Sequence, residues 1–232
     1  MSQFGPLYDK INTIWKRDDR GVVILGDWSC PEFWYLQDKD WLWTEKVDGT
    51  NIRLHREGVG SEVYVGGRTD NAQLPAPLVS NLSAGGVLDR DKWDAISQQA
   101  GAPVTIYGEG YGAKIQSGGM YRQDQWLVVF DVKVGDWWRC RDDAAQVANQ
   151  LGLEMVPVVG TFSPIRAWNM VVADDLVSAW PGARPEGLVG RPAVDLLNRK
   201  GERLLMKMKV RDWADYERRG GGYFAVPVGS QG

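Results

Sequence analysis

Two extended segments that lie close together in the sequence place the strongest constraint on how this chain folds. Residues 43–47 and 51–56 flank a short Asp48-Gly49-Thr50 segment, and in the second of them polar and apolar residues alternate up to His55. Alternation with a period of two predicts a strand with one polar and one apolar face. A further strand is predicted at 62–66, so consecutive strands are neighbours in the sequence.

The rest of the sequence predicts helices and strands in a mixed order. We predict a loop at 68–88, a helix at 90–100, strands at 103–110 and 125–134, helices at 141–151 and 173–180, and two apolar stretches around a hairpin turn at 198–201. This order favours an α+β fold, with antiparallel sheets flanked by helices, over a doubly wound one. The 232 residues suffice for one large domain or two small ones. We predict one domain over 1–232 with a glycine-rich tail at 220–232.

Composition excludes several classes of protein. The formal net charge of −3 argues against a protein that coats nucleic acid through bulk positive charge, although it leaves room for a local basic groove. Cys30 and Cys140 form no CxxC spacing, so neither a zinc site nor a disulfide framework is predicted. His55 is the single histidine, which excludes mechanisms that need two. The twelve tryptophans are compatible with packing and with base stacking.

The sequence carries no sign of a membrane or export segment. It has no run of about 18 apolar residues, the length that a transmembrane helix needs. Its start, MSQFGPLYDK, lacks the basic and apolar regions of a secretion signal. These features predict a cytoplasmic protein.

Lys46 and Asp48 stand two residues apart in an extended segment, so their side chains face the same way. Gly49 then allows the backbone to turn or to approach a ligand closely. On residue types alone, the pair is either an ordinary surface ion pair or a reactive lysine beside a carboxylate.

Lys207 and Lys209 alternate with Met206 and Met208, which places both lysines on one face of a predicted strand. Two ammonium groups at this spacing repel one another unless an anion such as a phosphate lies between them. The pattern is therefore compatible with a phosphate site, and equally with a solvated strand face that blocks aggregation.

Three carboxylates lie at or near the predicted ends of strands. Glu109 stands between two glycines, Asp131 closes an apolar run, and Glu186 enters a strand after a proline-rich loop. Carboxylates in such places either meet a ligand or solubilise the end of a strand. Burying a carboxylate without a partner is costly, so we expect Asp131 to lie in water or to have a partner.

Five elements, taken in order, carry a resemblance that none of them carries alone. They are Lys46-x-Asp48-Gly49, Tyr107-Gly108-Glu109, Phe130-Asp131, Glu186-Gly187-Leu188-Val189 and Lys207-x-Lys209. This order resembles motifs I, III, IIIa, IV and V of the covalent nucleotidyltransferases, which comprise DNA ligases, RNA ligases and capping guanylyltransferases. Asn51, five residues after the lysine, is similar to the phage-type RNA ligase 2-like branch, as is the 21-residue gap from Glu186 to Lys207. The resemblance covers about residues 43–210.

The resemblance implies a nucleotidyltransferase (ATP-grasp-like) adenylation domain that ligates RNA with ATP. Lys46 would take AMP from ATP, the AMP would pass to a 5′-phosphate end, and a 3′-hydroxyl would displace it to form the phosphodiester bond. A lysine nucleophile must lose a proton whose pKa is ordinarily about 10.4, and burial and nearby cations lower that value. Lys207 and Lys209 are the expected cations, and with Lys46 they form the expected catalytic set.

The resemblance also implies which residues bind the cofactors. Phe130 is expected on one face of the adenine, Val189 on the other, and Glu109 at the ribose hydroxyls. The remaining residues expected to bind the nucleotide are Glu45, Asn51, Arg68, Glu186, Lys207 and Lys209, while Arg184 and Arg191 are candidate contacts to the polynucleotide. Mg²⁺ or Mn²⁺ is expected on phosphate oxygens, held largely through water, with Asp48, Glu109 and Glu186 as its protein partners.

Only 23 residues follow Lys209, so neither an OB-fold domain nor another C-terminal domain is expected after it. We therefore expect a monomer that retains self-adenylation, and whose sealing of RNA or RNA/DNA nicked duplexes is weak or needs a partner protein. The alternatives on the same scaffold are a DNA ligase and a GTP-using guanylyltransferase. A non-catalytic nucleic-acid-binding module is the alternative of a different class.

Overall fold

The computed structural model describes residues 2–221, which cluster into two compact units. Unit A comprises residues 2–8 and Val47–Val156, and unit B comprises Asp9–Lys46 and residues 157–221. The chain therefore passes between the units at three points, one of which directly follows Lys46. Among the described residues, no helix has the length and apolar character that a membrane crossing requires. The predicted tail at 220–232 falls almost wholly outside them.

Short strands and helices alternate along the chain. The strands are β1 (Asn12–Thr13), β2 (Trp15–Arg17), β3 (Val23–Trp28), β4 (Trp41–Lys46), β5 (Thr50–Arg56), β6 (Tyr64–Gly67), β7 (Val104–Tyr111), β8 (Trp126–Val134), β9 (Trp137–Trp138), β10 (Glu154–Met155), β11 (Val158–Phe162), β12 (Gly187–Pro192) and β13 (Met206–Lys209). The helices are α1 (Pro31–Tyr35), α2 (Ala76–Ala84), α3 (Arg90–Ala100), α4 (Arg141–Gln150), α5 (Pro164–Val172) and α6 (Val210–Arg218). The mixture of antiparallel sheets and helices confirms the predicted α+β class.

Unit A is built on a sheet with the strand order β10-β8-β7-β5-β6, in which β9 also pairs with β8. Strands β5 to β8 pair antiparallel, whereas β10 runs parallel to β8. Side chains of paired residues share a face. One face carries Ile52, Leu54 and Ile106, and α2, α3 and α4 pack their apolar residues against it. The other face, which we call the polar face, carries Asn51, Arg53, His55, Thr105, Tyr107, Glu109 and Asp131.

Residues 2–8 lie across part of the polar face. The fully buried Arg53 guanidinium donates to the carbonyl oxygen of Gly5 over 2.9 Å, and the Tyr107 hydroxyl donates to that of Pro6, also over 2.9 Å. The Tyr8 hydroxyl donates to Asp131 at 2.5 Å. The N-terminal segment therefore satisfies polar groups that a bare sheet face would expose.

Unit B contains a sheet with the strand order β1-β13-β12-β4-β11. Strands β4, β11, β12 and β13 pair antiparallel, and β1 runs parallel to β13. One face of this sheet packs on α5 and α6 through a core rich in tryptophan. Trp15, Trp41, Trp43 and Trp168 are fully buried there, so in these positions the rings serve packing rather than base stacking.

Several predicted elements are confirmed, and others are wrong. The helix at 90–100, the strands at 103–110 and 125–134, and the turn at 198–201 occur almost as predicted. The helix predicted at 173–180 is absent, because the helix of this region begins nine residues earlier. There the Ser163 side chain accepts from the Arg166 amide, and the apolar side chains of α5 line the core. The helix ends before Asp174, whose φ is +55°.

The short helix α1 and two longer helices, α2 and α6, lie where none was predicted. Helix α2 forms within the predicted loop at 68–88 and buries Leu78 and Leu82, which stabilises a segment whose flanks are rich in proline and glycine. Helix α6 follows β13 directly and buries Trp213 against the core of unit B. In both segments, tertiary packing decides the structure more than local composition does.

Candidate active site

Lys46 is the last residue of β4, and it faces Gly187 of β12, which in turn faces Lys209 of β13. Paired residues of adjacent strands share a face, so Lys46 and Lys209 lie on the same face with only a glycine between them. The neighbouring row consists of Thr44, Val189 and Lys207. We call this surface of unit B the lysine face.

Alternation within β13 explains how the lysine face forms. Met206 and Met208 are fully buried in the core of unit B, while Lys207 and Lys209 are only partly buried. Burial of the two methionines fixes which face of the strand the lysines occupy. The structure thus confirms the predicted division of the four side chains between two faces.

The Glu186 carboxylate joins the two lysines of the first row. One of its oxygens accepts from Lys46 Nζ, and the other lies 2.5 Å from Lys209 Nζ. The Glu186 amide donates to the carbonyl of Lys46 over 3.1 Å, and its carbonyl accepts from the Val210 amide over 3.0 Å, so the backbone is held on both sides. The arrangement places one anion between two ammonium groups.

The charge of Glu186 follows from its surroundings. Burial of the carboxyl acts to raise its pKa, but the ammonium groups of Lys46 and Lys209 outweigh burial and hold the pKa below its ordinary value. Glu186 is therefore an anion at neutral pH. It compensates the repulsion between the two lysines.

Gly187 makes this close arrangement possible. A Cβ atom at this position would lie 1.9 Å from the carbonyl oxygen of Met208 and 2.8 Å from the Cα atom of Lys209. No side chain fits in that space, so glycine is required by the close approach of β12 and β13. The glycine after Glu186 thus has a steric role in bringing Lys209 to the carboxylate.

Other predicted residues of unit B occupy different surroundings. Glu45 points to the buried side of β4, where its carboxylate accepts from Ser178 Oγ at 2.7 Å and from the Ala179 amide at 2.9 Å. Val189 lies on the lysine face beside Lys207. Arg191 is half-buried at the far end of the same face, and Arg184 is exposed in the loop before Glu186.

Asp48 and Gly49 lie in unit A, directly before the start of β5. The Asp48 carboxylate accepts from the Ser117 amide at 3.2 Å, and the Tyr121 hydroxyl accepts from the Asp48 amide at 3.4 Å. A Cβ atom on Gly49 would lie 2.2 Å from the carbonyl oxygen of Gly110. The close approach that the sequence predicts for Gly49 is therefore an approach to β7.

Asn51 and Glu109 face one another across β5 and β7, at the end of the polar face that opens next to Asp48. The Asn51 Oδ1 atom is buried and has no hydrogen-bond donor within the described residues. A buried acceptor without a donor is costly, and a ligand that carries hydroxyl groups would satisfy it. Two oxygen acceptors side by side suit the hydroxyls of a ribose.

Phe130 occupies an irregularity in β8. Asp131 pairs with Tyr107 and Val129 pairs with Gly108, which leaves Phe130 as an additional residue in the strand. Such β-bulges redirect a side chain and are frequent beside active sites. Asp131 lies in mid-strand rather than at the strand end, is buried, and accepts from Tyr8, so the expected alternative in which it has a partner is confirmed.

The remaining residues of the prediction divide between exposed and structural positions. Arg68 is exposed in the loop that follows β6. His55, the single histidine, is buried, with Nδ1 2.8 Å from Thr105 Oγ1 and Nε2 3.2 Å from Glu57 Oε1. Tyr8, which was not among the predicted residues, donates to Asp131 and contacts the Phe130 ring.

No group of three or more histidine, cysteine, aspartate or glutamate side chains within residues 2–221 is arranged to hold a metal ion. The predicted metal partners Asp48 and Glu109 belong to unit A, and Glu186 belongs to unit B. A Mg²⁺ ion that keeps its waters and binds substrate phosphates needs only one or two carboxylates, so it does not require such a group.

The model of the RNA ligase family matches residues 39–209. The chain belongs to the RNA ligase family. This match includes Lys46, Glu186 and both lysines of β13. A search of curated protein sequences found no match to this chain.

Solved structures of similar fold include several of the RNA ligase from Naegleria gruberi. The structure with PPi shares 17% identity at a TM-score of 0.62 and is matched over 96% of this chain and 60% of its own. A lysine-to-methionine mutant with AMP and Mn gives the same values, and a lysine-to-alanine mutant with ATP and Mn shares 16% identity at a TM-score of 0.61. This chain therefore spans about 60% of the length of the ligase it matches, and the likeness shows that the two share a fold.

Proposed function

We propose that this chain is the adenylyltransferase part of an ATP-dependent RNA ligase and that Lys46 becomes covalently linked to AMP. One observation carries the proposal: Lys46 and Lys209 share the Glu186 carboxylate across a glycine on the lysine face. A lysine beside a second cation on a sheet face suits attack on a phosphate, because the second cation neutralises the charge that builds on phosphorus.

The ion pair defines a resting state for the nucleophile. Lys46 Nζ donates to the Glu186 carboxylate, whereas attack requires a neutral amine whose lone pair is free. The phosphates of ATP offer Lys209 and Lys207 anionic partners of their own. We propose that Lys46 leaves the carboxylate as the nucleotide binds and gives its proton to solvent before it attacks.

Three displacements at phosphorus then complete the reaction. The Lys46 amine attacks the α-phosphorus of ATP, forming a phosphorus–nitrogen bond and breaking the bond to the bridging oxygen of pyrophosphate, which leaves. An oxygen of a 5′-phosphate end next attacks the same phosphorus and restores the lysine. Finally a 3′-hydroxyl attacks the activated 5′-phosphate, loses its proton, and expels AMP.

Residues of unit A are proposed to hold the nucleoside. Asn51 and Glu109 face the ribose hydroxyls, which would supply the donor that the buried Asn51 Oδ1 atom lacks. Phe130 stacks on the adenine from its position in the β8 bulge. Arg68 is proposed to bind phosphate or nucleic acid.

Two further residues of unit B complete the proposed nucleotide-binding set. Val189 covers the second face of the adenine from the lysine face, beside Lys207. Glu45 remains a proposed nucleotide contact, and its bonds to Ser178 and Ala179 also fix the segment that leads to Glu186.

A divalent cation is proposed to accompany the phosphates, with Asp48, Glu109 and Glu186 as its nearest protein groups. Mn appears with ATP or AMP in the related Naegleria structures. When bound, such a cation withdraws charge from the phosphate oxygens. The lowered pKa of Glu186 keeps that carboxylate available as an anion for this purpose.

The polynucleotide is proposed to be RNA, as single ends or as a nicked duplex with RNA or DNA strands. Arg184 and Arg191 are proposed contacts to its backbone, since they flank Glu186 on unit B. We further propose a role in RNA repair in the cytoplasm, of phage origin, as a monomer that seals ends with the help of a partner protein.

Incubation with α-labelled ATP or α-labelled GTP tests the proposal. We expect label on the protein from ATP alone, none on Lys46→Ala, and an undiminished amount on the control Lys39→Ala, which removes an exposed lysine of the same unit. Label from GTP alone would indicate a guanylyltransferase. Nicked duplexes with RNA or DNA at the 3′-hydroxyl side separate an RNA ligase from a DNA ligase.

Variant Lys46→Ala also separates an enzyme from a binding module. If nucleic-acid binding and biological effect both survive in Lys46→Ala and the wild-type protein takes no label, the chain acts by binding alone and the proposal is wrong.

A further inference from the structure

The polar face of unit A is only partly covered by the N-terminal segment. Residues 2–8 lie over the rows of Arg53, Thr105 and Tyr107, where Gly5 packs against the His55 ring and Pro6 accepts from Tyr107. The segment ends at Tyr8. The rows beyond it carry Asn51 and Glu109, the residues proposed to meet the ribose.

Tyr8 is held at this boundary by both ends of its side chain. Its hydroxyl donates to the buried carboxylate of Asp131 at 2.5 Å, across 123 positions of sequence. Its ring contacts Phe130 edge to face, with 4.9 Å between centroids, and also contacts Tyr107 at 5.1 Å and Trp138 at 5.5 Å. Hydrogen bonds to a carboxylate are stronger than those between neutral groups, so the ring has a defined position.

Phe130 needs such support because of its place in the strand. It is the additional residue of the β8 bulge, with Val129 paired to Gly108 on one side and Asp131 paired to Tyr107 on the other. The regular ladder between β7 and β8 therefore does not fix its side chain in the way that it fixes its neighbours. The Tyr8 ring contacts the Phe130 ring directly.

We propose that Tyr8, anchored by Asp131, is a positioning residue that sets the Phe130 ring for stacking on the nucleobase. The inference rests on the proposed function, because it assumes that Phe130 binds adenine. Tyr8 affects nucleotide binding only by orienting Phe130, which contacts the base. Its effect should therefore be seen with ATP and be absent with inorganic tripolyphosphate, which has no base.

Binding is measured on the full chain by equilibrium dialysis of α-labelled ATP in a Lys46→Ala background, which prevents turnover, and by displacement of the label with tripolyphosphate. We expect Tyr8→Ala to weaken ATP binding by about 2- to 12-fold, the range that an edge-to-face aromatic pair is worth. Tyr8→Phe, which keeps the ring, should recover part of the loss. Tripolyphosphate affinity should stay within about twofold, since no bond to phosphate is removed.

The same change in a Phe130→Ala background tests whether Tyr8 acts through that ring. Residues that act as a unit are not additive, so Tyr8→Ala should then cost less than about twofold. Tyr35→Ala, which removes an exposed tyrosine of α1, is the control and should leave ATP binding unchanged. Melting temperatures of all variants show whether the fold persists.

The outcomes separate the inference from the proposed function. Equal loss of ATP and tripolyphosphate affinity, or full and independent losses from Tyr8→Ala and Phe130→Ala, would overturn the positioning role while leaving adenylation intact. Unchanged ATP binding by Tyr8→Ala would overturn it as well. If the Lys46→Ala protein with Tyr8 intact binds no ATP, and the wild-type protein takes no label on Lys46, the proposed function is refuted and the inference with it.

Discussion

Replacement of Gly187 by alanine tests the geometry that brings Lys46, Glu186 and Lys209 together. The new Cβ atom would lie 1.9 Å from the Met208 carbonyl oxygen, whereas real Cβ contacts below 3.0 Å are essentially never seen. About 1 Å must therefore be taken up by the backbones of β12 and β13, and a misplacement of that size in an active site can cost about 100-fold in rate. The Lys209 Cα atom, at 2.8 Å, is among the atoms that must move.

The assay for Gly187→Ala is the single-turnover transfer of label from α-labelled ATP to the protein. We expect a fall of about 100-fold in rate at saturating ATP. Overpacking costs about 1–3 kcal/mol, and each kcal/mol lowers the melting temperature of a chain of this size by about 2–4 °C, so most of the protein should stay folded at 20 °C.

The matched control is Gly58→Ala. Gly58 has no atom within 4 Å of the position that a Cβ would occupy, so the same chemical change should leave rate and melting temperature unaltered. If Gly187→Ala became labelled at the wild-type rate, the close approach of β12 and β13 would have no bearing on catalysis, and the reasoning about Gly187 would be refuted.

Three further predictions concern charge, packing and the ribose. The lysines hold the Glu186 pKa below its ordinary 4.5, so their pairing with Glu186 stabilises the fold above that pH. This stabilisation is lost as the pH falls through the lowered pKa. The difference in melting temperature between wild type and Glu186→Gln should therefore be constant from about pH 6 to 8 and should shrink below pH 4.5. Met208→Ala should lower the free energy of unfolding by about 2–5 kcal/mol in urea titrations, because the side chain is fully buried, and a loss below 0.5 kcal/mol would contradict its place in the core. Glu109→Ala should reduce the preference for ATP over 2′-deoxy-ATP about tenfold in competition labelling. An unchanged preference would show that Glu109 does not contact the ribose hydroxyls.

Local patterns in the sequence suffice to predict the lysine face. Lysines and methionines that alternate over four residues can satisfy a buried core on one side only, so the face occupied by Lys207 and Lys209 follows from the burial of Met206 and Met208. The link between Lys46 and Glu186 is different. It arises from the pairing of β4 with β12, about 140 residues later, and the resemblance to a known family indicated only that both residues belong to one site.

Long-range contacts account for most of what the sequence did not predict. Tyr8 and Asp131 meet because residues 2–8 pack in unit A, far in sequence from its other residues. Nothing near Tyr8 in the sequence indicates this contact. Helix α2 was missed because its surroundings are rich in residues that terminate helices, while burial of Leu78 and Leu82 outweighs that preference.

The prediction at 173–180 was wrong for a related reason. It overlooked Ser163-Pro164 as the start of a helix. Serine as the N-cap with proline in the first turn is a strong local signal for a helix start, and here it places α5 correctly.

The central claim is that the amine of Lys46 forms a bond to AMP. An intact mass spectrum of the protein after incubation with ATP and Mg²⁺, followed by fragmentation of its peptides, measures this directly. The account predicts a species heavier by one AMP, with the added mass on Lys46 and lost on treatment with pyrophosphate. An adduct located on Lys207 or Lys209, or no adduct in a folded protein that binds ATP, would contradict it.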